Sequence, residues 1–511
     1  MYSFILRGER VLEITEIANI IKFADKFSLG AENGYDSHYF LRISIPNGIL
    51  TTEQFRVITK LAEIYGKGYA EVTDRQDIQL HWIDPEKALE IFEILDEFGF
   101  TTDKCGQSYA GARYGDVRNI VGCPAAGIDK YEIFNAYPII KEIKRFFTGN
   151  RNFLDLPRKF KISIAGCAIN CASPEIQDLG MVAVKKDNKI VFIPFIGGGL
   201  GYPPKLAKPL GIAINPDMVV EFVIAMVEIY RDYGMRENKA KARFKWLVEL
   251  WGVEKIRSMI EDKMGIQFER YEYKQLPTSG GEHIGINPQK QENLWYICVP
   301  LLGGRLNIKQ MLALTDIAEK FGWPELRLTP HQNIILSGIQ ENNIKSVIKR
   351  LQEIGFNINV TPIRYTAIAC AGGFCGKSPE DPKDRLNEII NYIESKFSKE
   401  LTDSIKIYIS GCPNACGKHP IGDIGLQGVY IRDGNNLIAG YNLFLGGALG
   451  QKSSFARLIK RNIKADYVKF YIEKIISIYL KNRKNNESFK EFYERYNDDE
   501  LQKIVEVNYS V

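Results

Sequence analysis

The sequence predicts a mixed α/β (α+β) chain built by internal duplication, in the order A-B-A′-B′. Two matches of the chain with itself predict this. The stretch LRISIPNGILTTEQFRVITKLAEIYG…VTDRQDIQL from Leu41 matches ICVPLLGGRLNIKQMLALTDIAEKFG…LTPHQNIIL from Ile297 at a constant offset. It pairs Gly48 with Gly304, Gln54 with Gln310, Gly66 with Gly322 and Gln76 with Gln332. Further on, GCAINCASPEIQDLG from Gly166 matches GCPNACGKHPIGDIG from Gly411, pairing Cys167 with Cys412, Cys171 with Cys416 and Asp178 with Asp423. A glycine cluster follows each: FIGGGLG from Phe195 and FLGGALG from Phe444. Such a repeat organises the fold before any local reading does.

Each A unit reads as strand, helix, strand. The alternating apolar run Tyr39 to Ile45 predicts a strand. Pro46-Asn47-Gly48 breaks it. Thr52 is expected to cap an amphipathic helix through Tyr65, and the next strand is expected to run from Gly68 to Trp82. Each B unit opens with a strand, Lys159 to Ile164 in the first copy, leading into a cysteine-rich turn. The charged tail after Ala456 is expected to be a solvated outer helix.

A chain of 511 residues calls for several cores, and 45% hydrophobic with 25% charged residues is a globular composition. The net charge of +5 is slight for this length and gives no sign of nucleic-acid binding. No long apolar stretch marks a leader or a membrane span, so a cytoplasmic protein is expected. GGGLG lacks the strand–GxGxxG–helix context of a dinucleotide site, so electrons are expected from an external donor.

The nine cysteines are an odd number, and several fall in tight pairs, which in a cytosolic chain read as metal ligands before disulfides. Cys370 and Cys375 in ACAGGFCG, with Cys412 and Cys416 in GCPNACG, suit an iron–sulfur cluster; zinc and buried free thiols are the competing readings. Cys167 and Cys171 copy the second pair. With Cys105 and Cys123 they are read as duplication relics buried as small hydrophobes, a second cluster being the alternative. Cys298 reads as a core thiol.

In combination and order, LRISIPNG, VTDRQDIQLHW, GDVRNIVGCPAAGID, LPRKFKISIAGC, RLTPHQNIIL, ACAGGFC and GCPNACGKHPIGDIG resemble the ferredoxin-type assimilatory sulfite and nitrite reductases, which carry sirohaem and a 4Fe–4S cluster. The resemblance implies ferredoxin-like half domains at 30–98 and 285–358 and two sirohaem/4Fe–4S reductase-type domains at 108–270 and 359–485, followed by a tail at 486–511. It implies Cys370, Cys375, Cys412 and Cys416 as cluster ligands, with Cys416 also bridging to the sirohaem iron. Arg42, Arg118, Lys159 and Lys161 would form the substrate pocket. Arg75, Gln79 and His81, with Arg327, His331 and Asn333 of the second copy, would contact sirohaem.

One departure stands out: four residues separate Cys370 from Cys375, where the family usually has five. The implied reaction is the six-electron reduction of sulfite, with reduced ferredoxin as donor. Nitrite is the alternative oxyanion. Sulfite-reducing members tend to keep both lysines of the K-x-K formed here by Lys159 and Lys161, whereas plant-type nitrite reductases have Asn at the second. A cluster-containing corrin-pathway oxygenase and a non-catalytic metal-binding protein or sirohaem carrier are the remoter readings.

Overall fold

A computed structural model describes residues 23–32, 38–104, 108–109, 115–277 and 281–507. The two A units share one core. In the first, strands are ordered Arg305–Asn307, Tyr69–Val72, Ile78–Ile83, Tyr39–Ser44, Leu29–Ala31, Ser108–Tyr109, with Thr101–Thr102 also pairing on Tyr39–Ser44. In the second, the order is Ile286–Pro288, Leu294–Val299, Ile334–Gln340, Glu325–Leu328, Ile49–Thr51. Each sheet is thus edged by a strand of the other copy. Arg305 pairs with Glu71 in one and Arg327 with Ile49 in the other, so the exchange is reciprocal.

The duplicated residues secure this exchange. Gln76 Nε2 donates to Leu328 O at 2.9 Å, and Gln332 Nε2 donates to Val72 O at 3.2 Å, so each glutamine satisfies a carbonyl of the opposite copy. Gly48 (φ +72°) and Gly304 (φ +74°) face the same two carbonyls, and an added Cβ would lie 2.5 Å from Leu328 O or 2.3 Å from Val72 O. Only glycine allows both the left-handed turn and the approach.

Local structure refines several expectations. The helix Thr52–Tyr65 is present, but Thr51 caps it, in a reciprocal box with Gln54. The run from Gly68 to Trp82 is two strands, because Thr73–Asp77 turns the chain back on itself, with Gln76 at φ 61°. The B strand begins at Ile162 rather than Lys159. The tail after Ala456 is not a solvated helix: Arg457–Lys464 is a strand of the last sheet. Helix Val468–Asn482 buries Tyr471, Ile472, Ile475, Ile476 and Tyr479, and Phe492 and Leu501 beyond it complete the same core.

The two B sheets repeat one topology. Val121–Gly122 and Leu179–Lys186 flank Ile162–Ala165 in parallel, as Ile368–Ala369 and Ile424–Asp433 flank Ile407–Ser410. Among the described residues no helix is long and apolar enough to cross a membrane.

A buried ion cluster ties the copies together. Glu71 receives Lys383 Nζ at 2.9 Å, Arg305 Nη2 at 2.9 Å and His81 Nε2 at 3.2 Å. Burial opposes its charge, but Lys383, His81 and Arg305 outweigh burial and hold the carboxyl below its usual range. This contribution to stability is therefore present above the unfolded pKa of about 4.3 and drains away as pH falls below it. Glu71→Gln leaves the buried Lys383 ammonium without its counter-charge. We expect a loss of about 3–5 kcal/mol, read as a lower denaturation midpoint at neutral pH, with the gap to the parent chain narrowing in acid.

Candidate active site

Three cavities meet at Cys416. The first, about 240 Å³, is lined by Cys370, Cys375, Cys412 and Cys416 and faced by Phe40, Arg42 and Gln79 of the first half. The second, about 160 Å³, gathers Arg42, Arg118, Lys159 and Lys161 with Arg75, Gln79, Asp77, Cys370 and Cys416. The third, about 310 Å³, is lined by Arg75, Arg158, Lys159, Lys161, Arg243, Lys245 and Lys418, with Gly199 and Gly201 of the first glycine cluster. Among the described residues, Cys416 alone lines all three.

Backbone geometry brings the four thiols to one cavity. The turn carrying Cys412 and Cys416 follows strand Ile407–Ser410, and Gly411 N donates to Cys370 Sγ at 3.2 Å. The short Cys370–Cys375 loop closes as a single 3₁₀ turn, Gly372–Phe374. It rests on the start of helix Pro382–Phe397, where an added Cβ at Gly372 would lie 2.7 Å from Pro382. Burial, then the neighbouring thiolates, push the Cys370 thiol well up, and burial also raises Cys412. Thiols crowded in this way lose their protons to a cationic metal centre rather than to water. Four of them around one cavity fit an iron–sulfur cluster.

The cations converge for equally local reasons. Phe160 is fully buried between Lys159 and Lys161, so both lysines point to the cavity side. Lys161 N donates to Asp178 Oδ2 at 2.8 Å, and the same carboxylate holds Arg243 Nη2 at 2.7 Å. Arg42 donates twice to Gln79 Oε1, and Arg118 pairs with Asp116 at 3.1 Å. Arg75 donates to Gln177 and to Asn119 O, while its buried Nε has no hydrogen-bond partner among the described residues. Burial lowers Lys159 to about 8; Arg243, Arg118 and Arg158 add to this, and the Cys416 thiolate opposes it. Lys161 is driven well below the usual lysine range by burial and then by Arg75 and Lys159. Burial and Asp103 raise the Asp77 carboxyl well above its usual range. Such a density of positive charge beside an orphaned guanidinium N–H fits a polycarboxylated ligand and a small anion.

Other expected cofactor contacts stand elsewhere. His81 is fully buried, with Nδ1 2.6 Å from Glu32 and its ring stacked on Phe374 at 3.8 Å. It seats the Cys370–Cys375 loop and does not reach the cavities. Arg327 is spent on Ala126 O at 2.7 Å, Pro124 O and Glu325. Asn333 is spent on Leu301 N and Tyr365 O. Both are therefore struts behind the site, because their polar atoms are already satisfied by the chain. His331 lines an adjoining cavity of about 330 Å³, which shares Lys418 and Pro330 with the 310 Å³ one. Cys105 lies outside the described residues.

Arg158, Arg243, Lys245 and Lys418 escaped the sequence reading. Lys418 was within reach, two residues beyond Cys416 in a quoted motif. Arg243 and Lys245 sit in KAKARFKW, a charge-rich run at the start of helix Phe244–Met264, and the fold sets both on the wall of the 310 Å³ cavity.

Comparison with known proteins places this arrangement. Residues 114–268 and 362–511 match the nitrite and sulphite reductase 4Fe-4S domain, and residues 33–98 and 287–354 match the nitrite/sulfite reductase ferredoxin-like half domain. A protein of Mycolicibacterium paratuberculosis named sulfite reductase (ferredoxin) 2 is 30% identical over 91% of this chain and 83% of its own length. The ferredoxin–nitrite reductase of Leptolyngbya laminosa is 32% identical over 84% of each. The solved structure of the Mycobacterium tuberculosis NirA protein superposes with a TM-score of 0.87 at 26% identity, covering 98% of this chain and 93% of that one. The duplicated fold, the four-cysteine cavity and these matches together make the chain an oxidoreductase that belongs to the nitrite and sulfite reductase family.

Proposed function

We propose that this chain reduces sulfite to sulfide with six electrons from reduced ferredoxin, acting in the cytoplasm, where its thiols stay reduced. The observation that carries the reading is the meeting of three cavities at Cys416, one walled by thiols and two by cations. Cys370, Cys375, Cys412 and Cys416 would hold the 4Fe–4S cluster. Arg75, Arg158, Arg243, Lys245 and Lys418 would hold the carboxylates of sirohaem, with Cys416 between the two groups. Bound there, the pair supplies a one-electron relay and an iron on which an oxyanion can be reduced.

The chain's own residues do the rest. Arg42, Arg118, Lys159 and Lys161 draw the anion into the 160 Å³ cavity and offset the charge it gains. The lowered Lys159 and Lys161 ammonium groups release protons readily, as loss of oxygen as water requires. Asp77 lines the same cavity, and burial and Asp103 raise its carboxyl above the usual range, which suits it to carry a further proton.

Nitrite reduction to ammonia is the second reading, favoured by relatives of both names at similar identity. Lys161 on the cavity wall supports sulfite. We expect the specificity constant to be higher for sulfite when both anions are tested with one reduced ferredoxin, and Lys161→Asn to move the ratio toward nitrite. A higher constant for nitrite would overturn the choice of substrate, and turnover of neither would overturn the reaction.

A further inference from the structure

The first half keeps a copy of the cysteine turn, and the structure shows what that copy faces. Strand pairing puts Cys123 where the second half has Cys370. Val121 and Gly122 pair with Ser163 and Ile164 as Ile368 and Ala369 pair with Tyr408 and Ile409. Gly122 N donates to Gln76 Oε1 just as Ala369 N donates to Gln332 Oε1. Cys167 and Cys171 stand at the positions of Cys412 and Cys416. Three of the four thiol positions are therefore filled.

Both the fourth donor and the facing wall differ. His283 reaches the turn from the segment joining the two halves. Gly281 in that segment lies so close that an added Cβ would sit 2.6 Å from Cys171 N. Where Phe40, Arg42 and Gln79 face the second-half thiols, the repeat offset puts Tyr296, Cys298 and Ile335, and these pack with Cys123 and Cys171 in one apolar cluster. Side chains thus occupy the space that a cube would need.

What remains is a compact donor set. The ligand atoms of Cys123, Cys171 and His283 all lie within 4.8 Å of one another, and all three residues are buried. His283 Nε2 stands 3.3 Å from Cys123 Sγ. Its Nδ1 lies 3.0 Å from the Tyr296 hydroxyl and 3.9 Å from Asp129 Oδ2. That is the outer partner a metal-binding imidazole uses to fix its tautomer and aim its other nitrogen.

We propose that Cys123, Cys171 and His283 bind a single zinc ion. Two thiolates and an imidazole are donors that zinc prefers. Sulfurs bound tetrahedrally to one zinc stand about 3.8 Å apart, given Zn–S bonds of about 2.3 Å, which is within the observed spacing. Thiolates on a cube belong to different irons and stand wider. The ion would pin the joining segment to the first-half turn, at the pseudo-equivalent of the cluster position.

Metal analysis of the purified holoprotein tests this without reference to turnover. We expect about one zinc per chain, a zinc K-edge spectrum showing sulfur with one nitrogen donor, and loss of that zinc in His283→Ala and Cys171→Ser with iron content and visible spectrum kept. Absence of zinc after growth in zinc-supplemented medium would overturn the proposal. Iron there in place of zinc would do the same. So would full zinc retention in His283→Ala. If the variants fail to fold, the K-edge of the parent chain decides, and a sulfur-free zinc environment sinks the idea.

Discussion

Cys416→Ser should abolish reduction of sulfite and of nitrite alike, lowering kcat by about 10³-fold or more, equivalent to about 4 kcal/mol of barrier. Cys416 is placed for this by geometry: among the described residues it alone lines the thiol-walled cavity and both cation-walled ones. A serine there removes the soft donor from a set of four and leaves a hydroxyl that does not ionise near neutral pH. If Cys416 holds the cluster as proposed, iron content and visible absorption should fall together. Cys298→Ser, at a fully buried thiol outside these cavities, should leave iron content and absorption as they were. Retention of full turnover by Cys416→Ser would remove the basis for the functional assignment.

The second large effect is expected at the lysine pair. Lys159→Met and Lys161→Met keep the length of the side chain and remove the proton and charge, and each should lower kcat by about 10²–10⁴-fold. Lys159 adds a signature in pH. Its ammonium is present below about 8 and lost above. The parent enzyme should therefore lose kcat/KM as pH rises through that value. Lys159→Arg cannot lose its proton in this range, so it should bind the anion with the limb moved to higher pH, at lower kcat because it donates no proton. A limb unmoved in Lys159→Arg would assign the titration to another group.

How much of this could be read from the residues depends on whether the cause was local. The duplication was legible because Gly48, Gly304, Gln76 and Gln332 are fixed by contacts that recur in both copies. Lys159 and Lys161 were legible as a pair because alternation around Phe160 is a backbone property. The exchange of edge strands was not, since Ile49–Thr51 and Arg305–Asn307 are only three residues long and acquire their pairing from a partner far along the chain. The surroundings of His81 were not legible for a similar reason. Its motif sits on the right strand, but Glu32 and the stacked Phe374 come from elsewhere and close it off. The tail failed because charge in RLIKRNIK hides the buried Ile459 and Ile463. His283 carried no signal, because it lies outside the quoted repeats.

The crossed edge strands have a consequence for ancestry and for handling of the protein. A half chain alone would present unpaired strand edges and half of a shared core, and unpaired edges recruit partners. The partner that fits is another copy of the same half, related by a two-fold axis, with the same patch used on both sides. In the present chain the two halves meet within one molecule, with the pseudo-two-fold pairing of a homodimer, so that this assembly does not depend on concentration. Joined in one chain, the two sites need not be identical: one has four thiols, and the other has three thiols and a facing wall filled with side chains.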